Sequence, residues 1–486
     1  MWTVASPLPG RTVFYLLVPL AIGVAPALAR ETIVTGTMGT VVDYRSRSYK
    51  QGEVGTLSDD GDRKKIGIQP EVLIVSNDVR DFLSLRYSPT LSYDYVVEDN
   101  QVDHQLDLQG ERWLSQAWSV SVSENYIRSD DPGTPTRGKT SDVFASSGGQ
   151  ASPFDTPTEL SRDQNGRKYW TNTASARTSY VLDKDSRING GYSYSVLRND
   201  ESVGGYEDYD RHSFYTDLTH GFTQNWRGNL GLDYTRGLYD RTQGLFDTNA
   251  TDNGTPDLDQ YGFRVGVDFV RTPHDFYPLK YSLNESRYAD DTRPGNEIHS
   301  WSLGWDHAFD SRTRVALGGG PSFAKTEGLD GTWGYNAYAT LMRTFEHASL
   351  SLELSKVYQT NNFSGNSADS GLTDTYSARA TFSYRHTQNL AFNVYGGYSM
   401  ESNFEPQGIY QVEAGGGAAP AGKTGGNSYD KNIYDAGIGC TYTFGRWYTA
   451  GLNYGYYVSD GNLANDQYTD HQLLFTLRAS HELWRW

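Results

Sequence analysis

Ten histidines, 59 carboxylates and one cysteine are the groups in this 486-residue chain that could do proton, nucleophile or metal chemistry. Hydrolytic or acyl-transfer sites need a nucleophile, a base and an orienting group within hydrogen-bond reach of one another. The sequence has no Gly-x-Ser-x-Gly, no His-Glu-x-x-His and no phosphate-cradling loop. Its histidines are scattered, and none lies where a Ser and an acid would be fixed beside it. The lone Cys440 excludes an intramolecular disulfide and a cysteine-based metal cluster, and no Cys-x-x-Cys-His marks a haem. One loop, NATDNGTPDLDQ (249–260), has Asn249, Thr251, Asn253 and Gly254 at calcium-loop spacing. Gln260 stands at its twelfth position, where calcium needs a bidentate Glu, so the loop reads as an Asx/Gly turn. The expectation is a protein that is not an enzyme and carries no cofactor or metal.

The informative charges are those that alternate with apolar residues. In FLSLRYSPTLSYDYVV, Leu83, Leu85, Tyr87, Leu91, Tyr93, Tyr95 and Val97 share one face, while Arg86 and Asp94 lie on the other. The same phase places Arg177, Arg227, Asp233, Arg264, Asp268, Lys280, Arg314, Glu353, Arg379, Arg385 and Arg478 opposite apolar partners, along with Tyr338 and Tyr395. If the apolar face meets lipid, these residues line a polar interior. Two readings stay open: mutual pairing across the wall for solvation, or a pore lining with no strong ion selectivity. The two tyrosines are of a type that can stack on sugar rings.

The elements that must carry these residues are long strands. Fifteen residues of alternation, Leu83 to Val97, exceed the ordinary strand and suit a tilted transmembrane one. The pattern returns in WRGNLGLDYTRGLYD (226–240), YGFRVGVDFV (261–270), TYSARATFSYRH (375–386) and WYTAGLNYGYYV (447–458). Short polar turns at 76–78, 183–186, 223–225, 310–313, 345–348, 386–389 and 445–447 alternate with longer Asp/Gly/Asn-rich connections, the longest being 129–168 and 401–428. That asymmetry predicts an all-β, up-and-down transmembrane barrel with short periplasmic turns and longer extracellular loops. Counting gives about 18–20 strands, the first two candidates being Met38–Tyr49 and Lys65–Ser76 and the last Gln472–Ser480. Such a ring is roughly 40 Å across, too wide for side chains to fill, and loop 129–168 is the expected constriction.

Residues 1–29 read as a cleaved signal peptide, with Arg11, an apolar run and the small-residue site Ala27-Leu28-Ala29. Residues 30–486 would then form one barrel in the outer membrane of a bacterial cell, in contact with its lipid. Without the signal, 41 basic residues face 59 acidic ones, a net charge of −18, which argues against nucleic acid as a partner. Thirty-six Tyr, 51 Gly and only 37% hydrophobic residues suit strands with water on one side and lipid on the other.

The run DFLSLRYSPTLSYDYVVEDNQVDHQLDLQGERWLSQAWSVSVSENYIRSDDP (81–132) resembles the outer-membrane β-barrel porins associated with exopolysaccharide export. The likeness rests on Tyr87-x-Pro89, Asp103-His104-x-Leu106, and Tyr126 followed by Ser129-Asp130-Asp131-Pro132. It continues at Arg167, Tyr169-Trp170-x-Asn172. The resemblance implies a passive exit pore for polysaccharide, working with periplasmic export proteins, and it transfers no catalytic residues. The alternatives are a diffusion porin for small polar solutes and the barrel sheath of an electron-transfer conduit.

The chain closes on HQLLFTLRASHELWRW (471–486). A terminal aromatic after an alternating strand resembles the signal read by barrel-assembly machinery, and Phe475, Leu477, Trp484 and Trp486 are its candidates. Leu473, Phe475, Leu477, Ala479 and Leu483 share the odd phase whereas both tryptophans are even, so a bulge near 481–483 or a tail beyond the strand is expected.

Overall fold

Alternating sequence becomes wall in the computed structural model, which describes residues 30–49, 62–130, 168–200, 208–240, 256–289, 294–363, 371–403, 430–461 and 467–486. The signal segment, most of loops 129–168 and 401–428, and Asn249–Gly254 lie outside the described residues.

The strands are β1 (Glu31–Tyr49), β2 (Arg63–Asn77), β3 (Asp81–Tyr87), β4 (Thr90–Asp94), β5 (Asp99–Trp113), β6 (Trp118–Ser129) and β7 (Tyr169–Asp183). There follow β8 (Ser186–Asn199), β9 (Asp208–Gly221), β10 (Trp226–Asp240), β11 (Leu258–Thr272), β12 (Asp275–Tyr288), β13 (Asn296–Ala308) and β14 (Thr313–Thr326). The last are β15 (Thr332–Thr344), β16 (Ala348–Asn361), β17 (Gly371–Arg385), β18 (Leu390–Asn403), β19 (Asp430–Phe444), β20 (Tyr448–Gly461) and β21 (Tyr468–Arg485). Each pairs antiparallel with its chain neighbours, except that β3 and β4 both pair with β2 and β5 and not with each other, and β1 pairs with both β2 and β21, closing the barrel.

Segments β3 and β4 are two halves of one stave, so the barrel has twenty. On β5, Tyr87 faces Leu106 and Leu91 faces Val102, a register unbroken across Ser88-Pro89. Proline has no N–H to give the ladder, which is why the pairing pauses there. This stave stops at Asp94; Tyr95 and Val97 of the expected fifteen-residue run lie in the turn to β5. The first two staves are both present and longer than their sequence pattern, which excludes the count of 18.

Nine connections of two to four residues lie at one rim, together with Arg30 and Trp486. Side-chain oxygens hold these turns: Thr223 accepts from the N–H of Asn225 and of Trp226, and Thr387 from that of Asn389 and of Leu390. Asp310 accepts the Arg312 N–H at 2.7 Å, and that bond holds its carboxyl below the ordinary range.

The outer face carries a belt of exposed apolar residues, among them Leu230, Leu232, Leu279, Leu303, Leu354, Ile438, Leu452 and Phe475. At the short-turn rim the belt ends in rings such as Trp226 with Phe269 (4.9 Å between centroids) and Phe444 with Tyr448 (5.4 Å). Near mid-strand, at the belt's other edge, tyrosines reach a polar group one row higher on the next strand. Tyr87–His104, Tyr192–His212, Tyr281–His299 and Tyr454–His471 are bonded at 2.8–2.9 Å through histidine Nδ1, and Tyr234 donates to Asp259 at 2.6 Å. An aromatic body in lipid with its polar tip hydrogen-bonded is the chemistry of a membrane interface. A closed barrel with this exterior is an outer-membrane barrel.

At closure, Val34 faces Trp484 while Thr35 faces Glu482, so Leu483 is the extra residue of a bulge. The bulge turns Trp484 and Trp486 to the outer face, and a backbone pair between Thr32 and Trp486 (2.9 and 3.1 Å) continues the ladder to the final residue.

Candidate functional site: the inner wall and its mouth

The inner face is identified by contacts that skip strands, which only the concave side of a barrel permits. Phe363, just beyond β16, stacks on Tyr239 of β10 (5.9 Å) and meets Tyr209 of β9 (5.3 Å). Tyr239 lies on the phase opposite to the lipid-facing Leu230 and Leu232, so odd positions of β10 point inward.

All fifteen pore-lining candidates lie on this inner phase, but they do different things. Arg86 pairs with Asp107 at 2.7 Å, Arg314 bonds Asp306 through Nε at 2.8 Å, and Arg478 donates to Gln69 at 2.8 Å. Arg264 lies 3.3 Å from Asp217 and 3.5 Å from Asp233, reaching across Gly231. Arg379 faces Glu353 in register, lies 3.8 Å from Asp435 and sits over the Tyr395 ring at 5.5 Å. Arg227 and Arg385 stand exposed at the short-turn rim, and Lys280 is half-buried. Asp94 and Asp268 point inward but are buried. Asp94 accepts the Val96 N–H at 2.9 Å and so caps the turn after β4, while Asp268 accepts from Asn229 at 2.6 Å. Pairing across the wall thus occupies most of the lining, and the surviving field is of mixed sign.

Three inward tyrosines lie against glycines of the adjacent strand. A Cβ at Gly191 would stand 2.4 Å from Tyr215 Cε1, one at Gly318 2.5 Å from Tyr338 Cε1 and Cζ, and one at Gly437 2.4 Å from Tyr395 Cε1. Such distances leave no room for any side chain but hydrogen, so the glycines let the rings approach the wall closely. Tyr338 and Tyr395 were expected on this face. Tyr215 was missed, because β8 and β9 are joined by a long connection and only the observed register sets Tyr215 opposite Gly191.

The upper wall opens between β15 and β16. Their pairing runs from Thr344–Ser349 to Ala337–Lys356 and stops. Meanwhile β14 holds β15 up to Ala324–Thr332, and β17 holds β16 up to Asn361–Gly371. Released from β15, the top of the β16–β17 hairpin leans inward. Tyr358 and Leu372 pack with Ile298 of β13 and Ala324 of β14, and Thr360 donates to Asn296 at 3.0 Å. Further on, the Asn362 side-chain oxygen accepts from Tyr288 at 2.8 Å, and its carbonyl accepts from Tyr239. Phe363 completes a buried cluster with Tyr169, Leu197, Tyr209, Tyr239 and Leu258, and Arg211 sits over its ring at 5.1 Å. This hairpin is a chord across the long-loop mouth. The constriction expected from loop 129–168 concerns residues mostly outside the described ones; of them Asp130 folds inward, paired with Arg63 (2.9 Å) and Lys65 (2.7 Å).

Among the described residues no cluster of His, Cys, Asp and Glu could hold a metal.

No protein-family model and no curated protein matches the sequence. Among solved structures, the chain is similar to the siderophore receptor PirA of Pseudomonas aeruginosa, with a TM-score of 0.46 and 10% identity over 92% of this chain and 80% of that one. It is also similar to P. aeruginosa OccK9 (OpdG), at 0.42 and 11% over 92% and 98%, and to OpdO, at 0.41 and 12% over 93% and 98%. Likeness at these scores carries no weight of its own. The porin-type barrel rests on the strand pairing, the apolar belt and the polar inner wall described above.

Proposed function

We propose that this barrel is a passive outer-membrane channel for small polar solutes. The observation that carries the reading is the chord: Phe363 of the β16–β17 hairpin packs on the inner wall at Tyr209 and Tyr239, seven and six staves away, narrowing a ring that would otherwise be roughly 40 Å wide. Below it, paired charges and hydroxyls line the wall, a surface that solvates neutral and mixed solutes without holding one ion strongly.

An exit for an exported polysaccharide, with periplasmic export partners, is the reading that the 81–132 resemblance implies. A hairpin across the mouth opposes it, since a hydrated polymer needs continuous width. The two part on experiment. Purified barrel in planar bilayers should give discrete, ohmic single-channel steps, and deletion of the gene should leave surface polysaccharide unchanged. Absence of conductance together with loss of surface polysaccharide would reverse the order of the two readings.

A further inference from the structure

The inner wall of β6–β9 holds an open niche of ≈ 320 Å³, lined in part by Tyr215. We propose that this niche is a saccharide-binding subsite, with the face of Tyr215 as its stacking platform; the inference rests on the channel reading and names a solute class for it. Its volume falls at the low end of small-molecule sites, about 300–1,000 Å³.

A Cβ on Gly191 would stand 2.4 Å from Tyr215 Cε1, so the ring lies close against β8 at the point where it lines the niche. The same niche is lined by Ser121, Arg177, Ser179, Asn189 and Asp217. A pyranose presents an apolar C–H face and a rim of hydroxyls that both donate and accept. The ring matches the face, while the guanidinium donates, the carboxylate accepts, and the amide and hydroxyls do both. The charges balance locally: Asp217 is shared with Arg264 at 3.3 Å, and Arg177 lines the same niche. A balanced site favours a neutral ligand over an anion. With no apolar lining beyond the ring, it also gives little to an aliphatic one.

The test uses the full-length barrel in planar bilayers with maltohexaose as the neutral probe and glutamate as the charged comparison. Maltohexaose should interrupt the current saturably, and glutamate should not. Tyr215→Ala should raise the half-blocking concentration about tenfold, from the loss of one aromatic stacking contact, while Tyr215→Phe should leave it unchanged. Heat-modifiability on gels confirms that both variants are folded. A conducting channel that maltohexaose does not interrupt, or a folded Tyr215→Ala variant blocked like the original, overturns the subsite and leaves the channel reading intact. If the barrel does not conduct, the channel reading fails separately. Calorimetric titration of the detergent-purified barrel with maltohexaose then decides the subsite, a saturable heat that Tyr215→Ala weakens supporting it and no saturable heat overturning it.

Discussion

The Lys356 ammonium lies 2.7 Å from an Asp374 carboxylate oxygen and 3.8 Å from the centre of the Tyr358 ring, at the point where β16 parts from β15. Tyr335 of β15 and Tyr376 of β17 stand at 4.9 and 5.5 Å from the same nitrogen. One cation therefore ties together the three strands that meet at the seam, and it is 5% exposed. Cutting off one partner of a buried pair costs about 3–5 kcal/mol, because the other charge is left without compensation. Lys356→Met should loosen the hairpin, widening the channel and lowering the temperature at which the folded band is lost on gels. Adding Asp374→Leu should recover much of that stability. Unchanged conductance and melting in Lys356→Met would show that the pair does not anchor the hairpin.

Phe363 is the far end of the same chord, resting on Tyr209 and Tyr239 and above Gly237, where a Cβ would stand 2.7 Å from Phe363 Cε1. Phe363→Ala should raise single-channel conductance without changing the folded fraction. Gly237→Val should do the same by displacing the ring. A conductance equal to the original in both variants would place the narrowing elsewhere.

A backbone carbonyl left unpaired inside a wall must find a donor. The register of β13 and β14, Ser300 with Ser322 and Leu303 with Gly319, sets Trp301 opposite Pro321, which has no N–H. The Asn336 amide of β15 donates to the Trp301 oxygen at 2.8 Å. Asn336→Ala should destabilise the barrel by about 0.5–1.5 kcal/mol. In a Pro321→Ala background, where the backbone can donate instead, most of that cost should vanish. A double-mutant cycle in detergent unfolding reads the difference, and full additivity would refute the compensation.

The bulge at Leu483 sets Trp484 and Trp486 on the outer face beside the closing seam, and the Trp486 backbone pairs with Thr32. Removing Arg485–Trp486 should lower the amount of heat-modifiable barrel recovered in outer membranes. Normal levels of the truncated chain would show that this tail is not what assembly machinery reads.

Period-two alternation made the staves legible, because water on one side and lipid on the other impose opposite chemistry on odd and even positions. It also gave the inner phase of Arg86, Asp233 and Glu353, and the slip before Trp484. What alternation cannot carry is where two strands stop pairing. Lys356, Tyr358, Asp374 and Tyr376 share the phase that faces lipid lower down, and only the release of β16 from β15 turns their upper row onto the inner wall. Nor does phase report burial, so Asp94 reads as lining although it caps a turn. Tyr215 looked like any of 36 tyrosines until the register set it against Gly191.

The most direct measurement is liposome swelling with neutral sugars of rising size, made on the reconstituted full chain and on Phe363→Ala. Monosaccharides and disaccharides should enter quickly and long dextrans should not, with the cut-off moving upward in the variant. Dextran entry as fast as that of glucose in the original barrel, or no entry of any sugar, would contradict a polar channel narrowed by the β16–β17 hairpin.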